Sequence, residues 1–271
     1  MSLKRKIAGI VLVVALAAGA FVSFSPEKPK YPWYETVSMY HMLVKSFYDA
    51  NNDGKGDFRG LIDKLDYIKS LNVNTLHMLP ITPALNNPDM PRSHYGYEIT
   101  DFKNIHPDYG TLDDFKKLVK EAHKRGIHIV LDFITTVISV QHPFFQDILN
   151  NPNSRYKDWI IRADEIPEGL WMNFNDYSEQ FESKAWKPLP FGGYYYSLWG
   201  ASPYLDYHNP AVRDYILSVI DFWLDLGVDG FRIDATKHLF INGAGQDKQY
   251  HQPENFEFWK RVRRHITEKY G

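Results

Sequence analysis

The chain has 271 residues, and its 31 lysine and arginine residues nearly balance 33 aspartate and glutamate residues, for a formal net charge of −2. This balance supplies no clustered positive charge for phosphate backbones, so we expect no nucleic-acid partner. The sequence contains no cysteine, which excludes disulfides, thiolate metal ligands and a cysteine nucleophile. Aromatic residues reach 15%, a content that suits both a large core and stacking on flat ligands.

The first 24 residues are predicted to be a targeting segment. A basic start at residues 4–6 precedes an apolar run at residues 7–24, and a small-x-small site predicts cleavage after Ala20. An apolar run of about 18 residues also suffices to span a bilayer, so membrane anchoring by residues 7–24 is the alternative. Both interpretations predict an extracytoplasmic protein, either secreted or periplasmic, or membrane-anchored if the leader is retained. Residues 25–36 are predicted to be an extended tether.

Beyond the tether, apolar strands alternate with amphipathic helices, the order typical of a parallel α/β sheet. Strands are predicted at residues 37–44, 74–79, 127–131 and 228–233. Helices are predicted at residues 60–70, 111–126, 210–227 and 255–269. The expected buried faces contain Leu61, Leu65 and Ile68 in the first helix, Ile216, Val219 and Trp223 in the third, and Phe256, Trp259, Val262 and Ile266 in the fourth. Thr111 and Asp114 have the spacing of a capping box.

These elements make four βα units, interrupted by residues 133–203. That segment lacks the regular alternation of strands and helices, so we interpret it as an inserted lobe. The first part of the sheet then spans residues 37–132, and its continuation spans residues 204–271. No glycine-rich dinucleotide fingerprint follows the first strand, which disfavours a nucleotide-binding sheet. An eight-stranded barrel needs about 250 residues, so the pattern predicts either a doubly wound sheet or about half of a barrel.

An acidic loop follows the first strand, with oxygen-bearing groups at alternate positions around a glycine turn. Its candidate ligands are Asp49, Asn51, Asp53, the backbone carbonyl of Lys55, and Asp57. Hard cations such as Ca²⁺ take oxygen ligands in this pattern. An EF-hand would place a bidentate glutamate at the position of Gly60, so that motif is excluded. The loop therefore predicts a calcium site, with a polar surface turn as the alternative.

A second group of charged residues lies at the end of the fourth strand. Arg232 and Asp234 point to the same face of that strand, and a nearby guanidinium favours the ionised carboxylate that nucleophilic catalysis requires. Asp132 ends the preceding strand and is expected to contact the other side of Arg232. Lys237 and His238 follow where the chain leaves the strand. The alternative interpretation of Arg232 and Asp234 is a structural ion pair.

Several ordered stretches support a family assignment. They include residues 46–57, Leu-Pro-Ile at 79–81, Tyr-Gly-Tyr-Glu-Ile-Thr-Asp-Phe at 95–102, residues 108–115, the strand that ends in Asp132, His-Pro-Phe-Phe at 142–145, and residues 227–238. From about Val37 onward, the sequence resembles the α-amylase-type glycoside hydrolases of family 13. The resemblance implies an α/β fold with an incomplete (β/α)8 TIM-type barrel of about four βα units and the lobe after strand three.

The resemblance also implies an activity, which is retaining cleavage of α-linked glucans, and an α-glucan oligosaccharide or polysaccharide as ligand. The residues matched to catalysis are Asp234, as the nucleophile, and Arg232, as its supporting cation. The residues matched to substrate binding are Tyr97, as an aromatic platform under the sugar, Asp132, and Lys237 and His238 on the leaving-group side. That last pair is typical of enzymes acting on α-1,4 links. The acidic loop matches a calcium site of many family members.

The sequence departs from the family pattern at several positions. Thr136 and Val137 replace the usual Asn-His pair, and valine cannot hydrogen-bond a sugar hydroxyl. Tyr204 and Asp206 replace an aspartate and an asparagine that help to bind a second calcium ion. The sequence stops at Gly271, where the fifth strand should begin, so the general-acid glutamate and the later His-Asp pair have no counterpart.

Retaining hydrolysis needs two carboxyl groups about 5–5.5 Å apart. We therefore expect residues 21–271 alone not to release reducing sugar from starch. Three interpretations follow: the N-terminal half of an α-glucan hydrolase, a non-catalytic relative that binds glucan or is membrane-anchored and serves a partner protein, or a truncated product without function.

Overall fold

The computed structural model describes residues 32–85, 95–173, 180–181, 185–197 and 202–271. The chain divides into two compact units, Met1–Val37 and Ser38–Gly271. In the first unit, the described residues contain one turn of 3₁₀ helix at Trp33–Glu35. The predicted leader at residues 1–24, with its alternative anchor at 7–24, lies outside the described residues. Within the described ranges, no helix has both the length and the apolar character needed to cross a bilayer.

A four-stranded parallel sheet forms the centre of the second unit. Its strands, hydrogen-bonded in this order, are β1 (Met39–Met42), β2 (Thr75–Met78), β3 (His128–Phe133) and β4 (Gly230–Ile233). All four predicted strands are present, each within two residues of its predicted ends. The register places His41 beside His77 and Asp132 beside Arg232. The α/β fold with a parallel sheet is therefore confirmed.

Helices separate and follow the strands along the second unit. They are α1 (Phe58–Asp63), α2 (Leu65–Ser70), α3 (Leu112–Lys124), α4 (Pro143–Asn150), α5 (Pro210–Asp225), α6 (Gln246–Gln249) and α7 (Pro253–Tyr270). The capping box of α3 is confirmed, since the side chains of Thr111 and Asp114 each accept a hydrogen bond from the other's backbone N–H. Asn209 caps α5, and Pro210 occupies its first turn, where a missing N–H costs nothing.

The predicted helix at residues 60–70 is divided into α1 and α2. The backbone N–H of Lys64 donates to the carbonyl of Leu61, only three residues back, at 3.1 Å. This tighter turn separates the two helices, but both keep the predicted apolar face. Its buried members are Leu61, Leu65 and Ile68.

The predicted face of the last helix is wrong at Phe256, whose side chain is 56% exposed. Helix α7 buries Asn255, Phe258 and Val262, while Trp259 and Ile266 are partly buried. Asn255 accepts a hydrogen bond from the N–H of Phe240 at 3.0 Å and donates to the carbonyl of Lys237 at 2.7 Å. These two bonds hold the Asn255 side of the helix inward.

Between β3 and α5 lies the lobe, which contains α4 and short antiparallel strands. The strands Arg162–Ala163, Tyr194–Tyr196 and Trp186–Pro188 form one sheet, and Met172–Asn173 and Gln180–Phe181 form another. Phe133, the first residue of the predicted lobe, is the last residue of β3. The lobe has an aromatic core, in which Trp171 packs edge-on against Trp186 with ring centroids 4.8 Å apart.

Candidate active site

An ion network occupies the carboxyl ends of β3 and β4. The register sets Asp132 opposite Arg232. The guanidinium donates from Nη1 to Asp132 Oδ1 at 3.1 Å, and its Nη2 lies 3.1 Å from Asp234 Oδ1. Asp132 is buried, with 2% of its side chain exposed, whereas Arg232 is 47% and Asp234 33% exposed. Arg232 therefore links a buried carboxylate to an accessible one. The sequence predicts the two contacts but not the difference in burial.

Tyr97 joins this network from the connection between β2 and α3. Its hydroxyl donates to Asp132 Oδ2 at 3.0 Å. Burial, together with the negative charge of Asp132, raises the pKa of Tyr97 well above its ordinary value. The hydroxyl therefore stays protonated at neutral pH and remains a hydrogen-bond donor, which fixes the ring beside Asp132.

The turn after β4 directly follows Asp234 and has an unusual backbone conformation. Ala235 adopts the left-handed conformation, with φ 52° and ψ 30°, before the 3₁₀ helix Thr236–His238. A side chain in this region costs about 1–2 kcal/mol, and such strain is concentrated at functional sites. An accessible carboxylate held by a guanidinium can attack an electrophilic carbon or stabilise a developing cation.

Lys237 and His238 lie on the same turn but in different environments. His238 is buried, and burial followed by the charge of Lys237 lowers its pKa to about 4. Its Nδ1 lies 3.4 Å from the carbonyl of Gln249. The Lys237 ammonium lies 4.5 Å from the ring centroid of Tyr250. His238 is thus a neutral, packed side chain, and Lys237 carries the positive charge of the pair.

The positions that depart from the family pattern lie at the junction of the lobe and the sheet. Val137 pairs with Tyr204 through an isolated β-bridge, and both side chains are buried. The Tyr204 hydroxyl donates to the backbone carbonyl of His238. Asp206, which could have offered an oxygen ligand, instead contacts His208. The side chains at this junction therefore do not fit a calcium ion.

The acidic loop directs its side-chain oxygens toward its own backbone. Asp49 accepts hydrogen bonds from the N–H groups of Asn51, Asn52 and Gly54, at 3.1, 2.6 and 2.7 Å. Asp53 accepts from the N–H of Lys55 at 2.9 Å. Among the described residues, no three acidic, histidine or cysteine side chains converge on a metal position. The oxygen donors nevertheless share one tight turn, so the chemistry of the donor set fits a hard cation.

Asp57 and Lys55 have further partners at the end of this loop. Asp57 caps α1 by accepting from the N–H of Gly60 at 2.7 Å, and its other oxygen accepts from Ala50 at 3.2 Å. The Lys55 ammonium donates to Asp108 at 2.8 Å. These contacts connect the loop to α1 and to the 3₁₀ turn Pro107–Tyr109.

The sequence interpretation missed several histidine contacts. His41 on β1 and His77 on β2 approach each other, with their Nδ1 atoms 2.9 Å apart. Asp229, before β4, contacts His123 at 2.7 Å and His128 at 3.0 Å. Both groups join residues far apart in the chain, and only their positions within predicted strands hinted at the first pair.

His208 is expected to make stability depend on pH. The hydrogen bond with Asp206 raises the pKa of His208 above its ordinary 6.5; partial burial opposes this, and Asn242 and Glu254 add to the rise. A raised folded-state pKa stabilises the fold fully below about pH 6.5, and the contribution is lost as pH rises through the folded-state pKa. His208→Gln should therefore cost more stability at about pH 6 than at about pH 9.

Urea denaturation at the two pH values measures this difference. Glu257→Gln is the control, because Glu257 forms an exposed pair with Lys260 and such pairs contribute little. An equal loss at both pH values for His208→Gln would contradict the prediction.

The chain is similar in sequence to a known protein family and to characterised proteins. Residues 41–270 match the family model described as the alpha amylase catalytic domain. Alpha-amylase 3 of Dictyoglomus thermophilum is 38% identical over 229 residues, covering 84% of this chain and 40% of that protein. Trehalose synthase/amylase TreS of Mycolicibacterium smegmatis is 39% identical over 241 residues, covering 88% of this chain and 39% of that protein.

Two solved structures of enzymes are also similar to this chain. The trehalose-6-phosphate hydrolase TreA of Bacillus licheniformis superposes with a TM-score of 0.77 at 32% identity, over 89% of this chain and 44% of that one. The α-amylase from H. orenii gives 0.71 at 35% identity, over 86% and 45%. The chain thus spans about two fifths of the length of the curated relatives, and its four parallel strands correspond to part of a (β/α)8 barrel. The chain belongs to the α-amylase family of glycoside hydrolases and matches its catalytic domain.

Proposed function

We propose that this chain supplies the nucleophile side of a retaining glycosidase site that acts on α-1,4-linked glucan. The observation that carries the proposal is the ion network in which Arg232 holds the buried Asp132 and the accessible Asp234. The relatives named as amylase, trehalose synthase and trehalose-6-phosphate hydrolase support a glucosidic substrate in general. Lys237 and His238, which match the α-1,4 pattern, support the finer choice.

In the proposed reaction, a carboxylate oxygen of Asp234 forms a bond to C1 of the sugar while the bond to the leaving group breaks. Arg232 orients Asp234 through their ion pair. Tyr97 offers an aromatic face beside the reacting sugar. A second carboxyl group must protonate the leaving oxygen. Asp132 does not suit that role, because it is buried and already bound by Arg232 and Tyr97.

A covalent trap tests this proposal without the second carboxyl group. In 5-fluoro-α-D-glucosyl fluoride the leaving group is fluoride, which departs without protonation. Asp234 should displace fluoride and retain the fluoroglucosyl group as an ester, which intact-mass measurement detects and peptide mapping assigns. Asp234→Asn should remain unlabelled, whereas Asp247→Asn, which removes an exposed carboxylate on α6, should be labelled like the wild type.

The second candidate function is a non-catalytic relative that binds glucan or a partner protein. The packed junction of Val137 and Tyr204 favours it, because an apolar side chain replaces a polar contact to the sugar. A folded wild-type chain that binds a maltooligosaccharide in calorimetry but takes no covalent label would favour this function over the first.

We propose that the acidic loop binds Ca²⁺. Asp49, Asn51, Asp53 and Asp57 would supply side-chain oxygens, and Lys55 its carbonyl. A bound ion would add charge stabilisation to a loop that already presents oxygen atoms on one turn.

We also propose an extracytoplasmic location, secreted, periplasmic or membrane-anchored through residues 7–24. Intact mass of protein recovered outside the cytoplasm distinguishes a chain cut after Ala20 from one that retains Met1.

Removal of calcium is expected to lower the melting temperature. An ion present at about 100 times its Kd stabilises the fold by about 2.7 kcal/mol, which corresponds to a shift of about 5 °C or more. Excess chelator should produce this shift in the wild type but not in Asp53→Ala. Asp164→Ala, which removes an exposed carboxylate elsewhere, should keep the wild-type response. No chelator effect on a cooperatively unfolding wild-type chain would refute the site.

A further inference from the structure

The side chain of Gln249, at the end of α6, connects the lobe to the loop that follows β4. It is fully buried, and glutamine is seldom buried unless its amide is hydrogen-bonded. Its Oε1 accepts from the N–H of Met172 at 2.9 Å. Its Nε2 donates to the carbonyls of Leu170 at 2.9 Å and Gly245 at 3.3 Å. The amide therefore joins the lobe segment Leu170–Met172 to the start of α6.

The partners of this amide fix its orientation. Two carbonyl oxygens face Nε2 and one N–H faces Oε1, so exchange of the two amide atoms would leave all three groups without a bond. In the lobe, the hydroxyl of Tyr196 donates to the carbonyl of Met172 at 2.7 Å and lies 3.3 Å from Oε1. Trp171 packs against Tyr196 with ring centroids 5.4 Å apart. The connection thus requires a group that donates on one side and accepts on the other.

The residues that follow Gln249 extend this connection to the candidate active site. The ring centroid of Tyr250 lies 4.5 Å from the Lys237 ammonium and 4.5 Å from the ring centroid of His238. The carbonyl of Gln249 faces His238 Nδ1 at 3.4 Å, and the N–H of His251 donates to the carbonyl of Lys237 at 2.9 Å. One short stretch of chain therefore holds the lobe through its first side chain and the turn after β4 through the rest.

We propose that Gln249 is a positioning residue for the leaving-group side of the site, where it fixes the lobe segment Leu170–Met172 relative to Lys237 and His238. This inference rests on the proposed function, which assigns Lys237 and His238 to the sugar that departs. Gln249 acts through the backbone of the two segments. Loss of its amide bonds would let these segments shift apart, and a displacement of about 1 Å is enough to weaken contacts with a bound sugar strongly.

Maltose binding to the covalently labelled chain tests this proposal. The fluoroglucosyl ester on Asp234 occupies the nucleophile side, so maltose added afterwards reports on the leaving-group side. Calorimetry should show binding to the labelled wild type and at least about tenfold weaker binding to labelled Gln249→Leu, a change of about 1.4 kcal/mol. The rate of labelling should fall by a smaller factor, because fluoride places no sugar on that side. Faster amide hydrogen exchange at Met172 would verify the lost bond.

Gln252→Leu is the matched control. Gln252 is also a buried glutamine of the loop after β4. Its Nε2 donates to the carbonyls of Asp247 and Tyr250 at 2.8 and 2.7 Å, and its Oε1 accepts from Asn242 at 2.8 Å. In the part of the chain that the structure describes, these bonds stay within the loop. Gln252→Leu should therefore lose stability but keep the maltose affinity of the wild type.

Gln249→Glu distinguishes positioning from a general loss of packing. A protonated glutamic acid can accept from Met172 and donate to Leu170, as the amide does, whereas the ionised form only accepts. Burial raises the pKa of a carboxyl group, so maltose affinity should be near that of the wild type at about pH 5 and near that of Gln249→Leu at about pH 8. Burial lowers the pKa of His238 to about 4 and raises that of Tyr196 far above neutral, so neither neighbour changes charge in this range.

The outcomes separate this proposal from the proposed function. Wild-type maltose affinity in a folded Gln249→Leu chain would overturn the positioning role alone, and so would an equal loss in Gln252→Leu. Absence of label on a folded wild type would refute the nucleophile assignment instead. The variants are then compared without label, and equal maltose affinity for the wild type and Gln249→Leu, or no affinity in either, would overturn the positioning role as well.

Discussion

Replacement of Arg232 by methionine is expected to lower the free energy of unfolding by about 3 kcal/mol. The guanidinium is the cation that faces Asp132, whose side chain is only 2% exposed. Without it, the buried carboxyl group of Asp132 would lose its guanidinium partner and keep the hydroxyl of Tyr97 as its hydrogen-bond donor. Removing one partner of a buried pair costs much more than the pair itself contributes. The half exposure of Arg232 keeps the expected loss at the lower end of the range.

Urea denaturation, compared by the midpoint at equal m-value, measures this loss. Arg261→Met is the matched control, because Arg261 pairs with Asp214 on the surface, where both side chains are exposed. Its expected loss is about 0–1 kcal/mol. Equal losses for Arg232→Met and Arg261→Met would mean that the carboxylate of Asp132 does not depend on Arg232.

Replacement of Trp223 by alanine is expected to cost about 4 kcal/mol. Trp223 lies on the buried side of α5 with 2% of its surface exposed. Its ring packs edge-on against Phe115 at a centroid distance of 5.5 Å, and its Nε1 donates to the carbonyl of Phe102 at 3.0 Å. The change would open a large cavity between α5 and α3 and leave a buried carbonyl without its donor.

Phe256→Ala on α7 is the aromatic control for this measurement. Phe256 is also a large apolar residue on a long helix, but its side chain is mostly exposed. Its removal should change stability by no more than about 0.5 kcal/mol. A loss at Phe256 comparable to that at Trp223 would show that α7 packs through the face predicted from its periodicity.

The order of strands and helices, and the ends of several helices, could be predicted because short-range interactions decide them. The capping box of Thr111 and Asp114 satisfies two backbone N–H groups within three residues. Pro210 begins α5 because its ring suits the first helical turn. The same-face placement of Arg232 and Asp234 follows from the alternation of a strand. None of these features requires knowledge of the neighbouring element.

The charges and contacts of the candidate site depend on the tertiary structure, because its residues meet across long stretches of chain. Burial of Asp132 but not Asp234 results from sheet register and from Tyr97, which approaches from another connection. The His41–His77 contact likewise exists only because β1 and β2 pair in register. Helical periodicity alone predicted a face of α7 that includes Phe256, whereas the two hydrogen bonds of Asn255 hold a different side of the helix inward. Sequence alone therefore determined which elements form, whereas packing between them determined which side chains are buried and which meet.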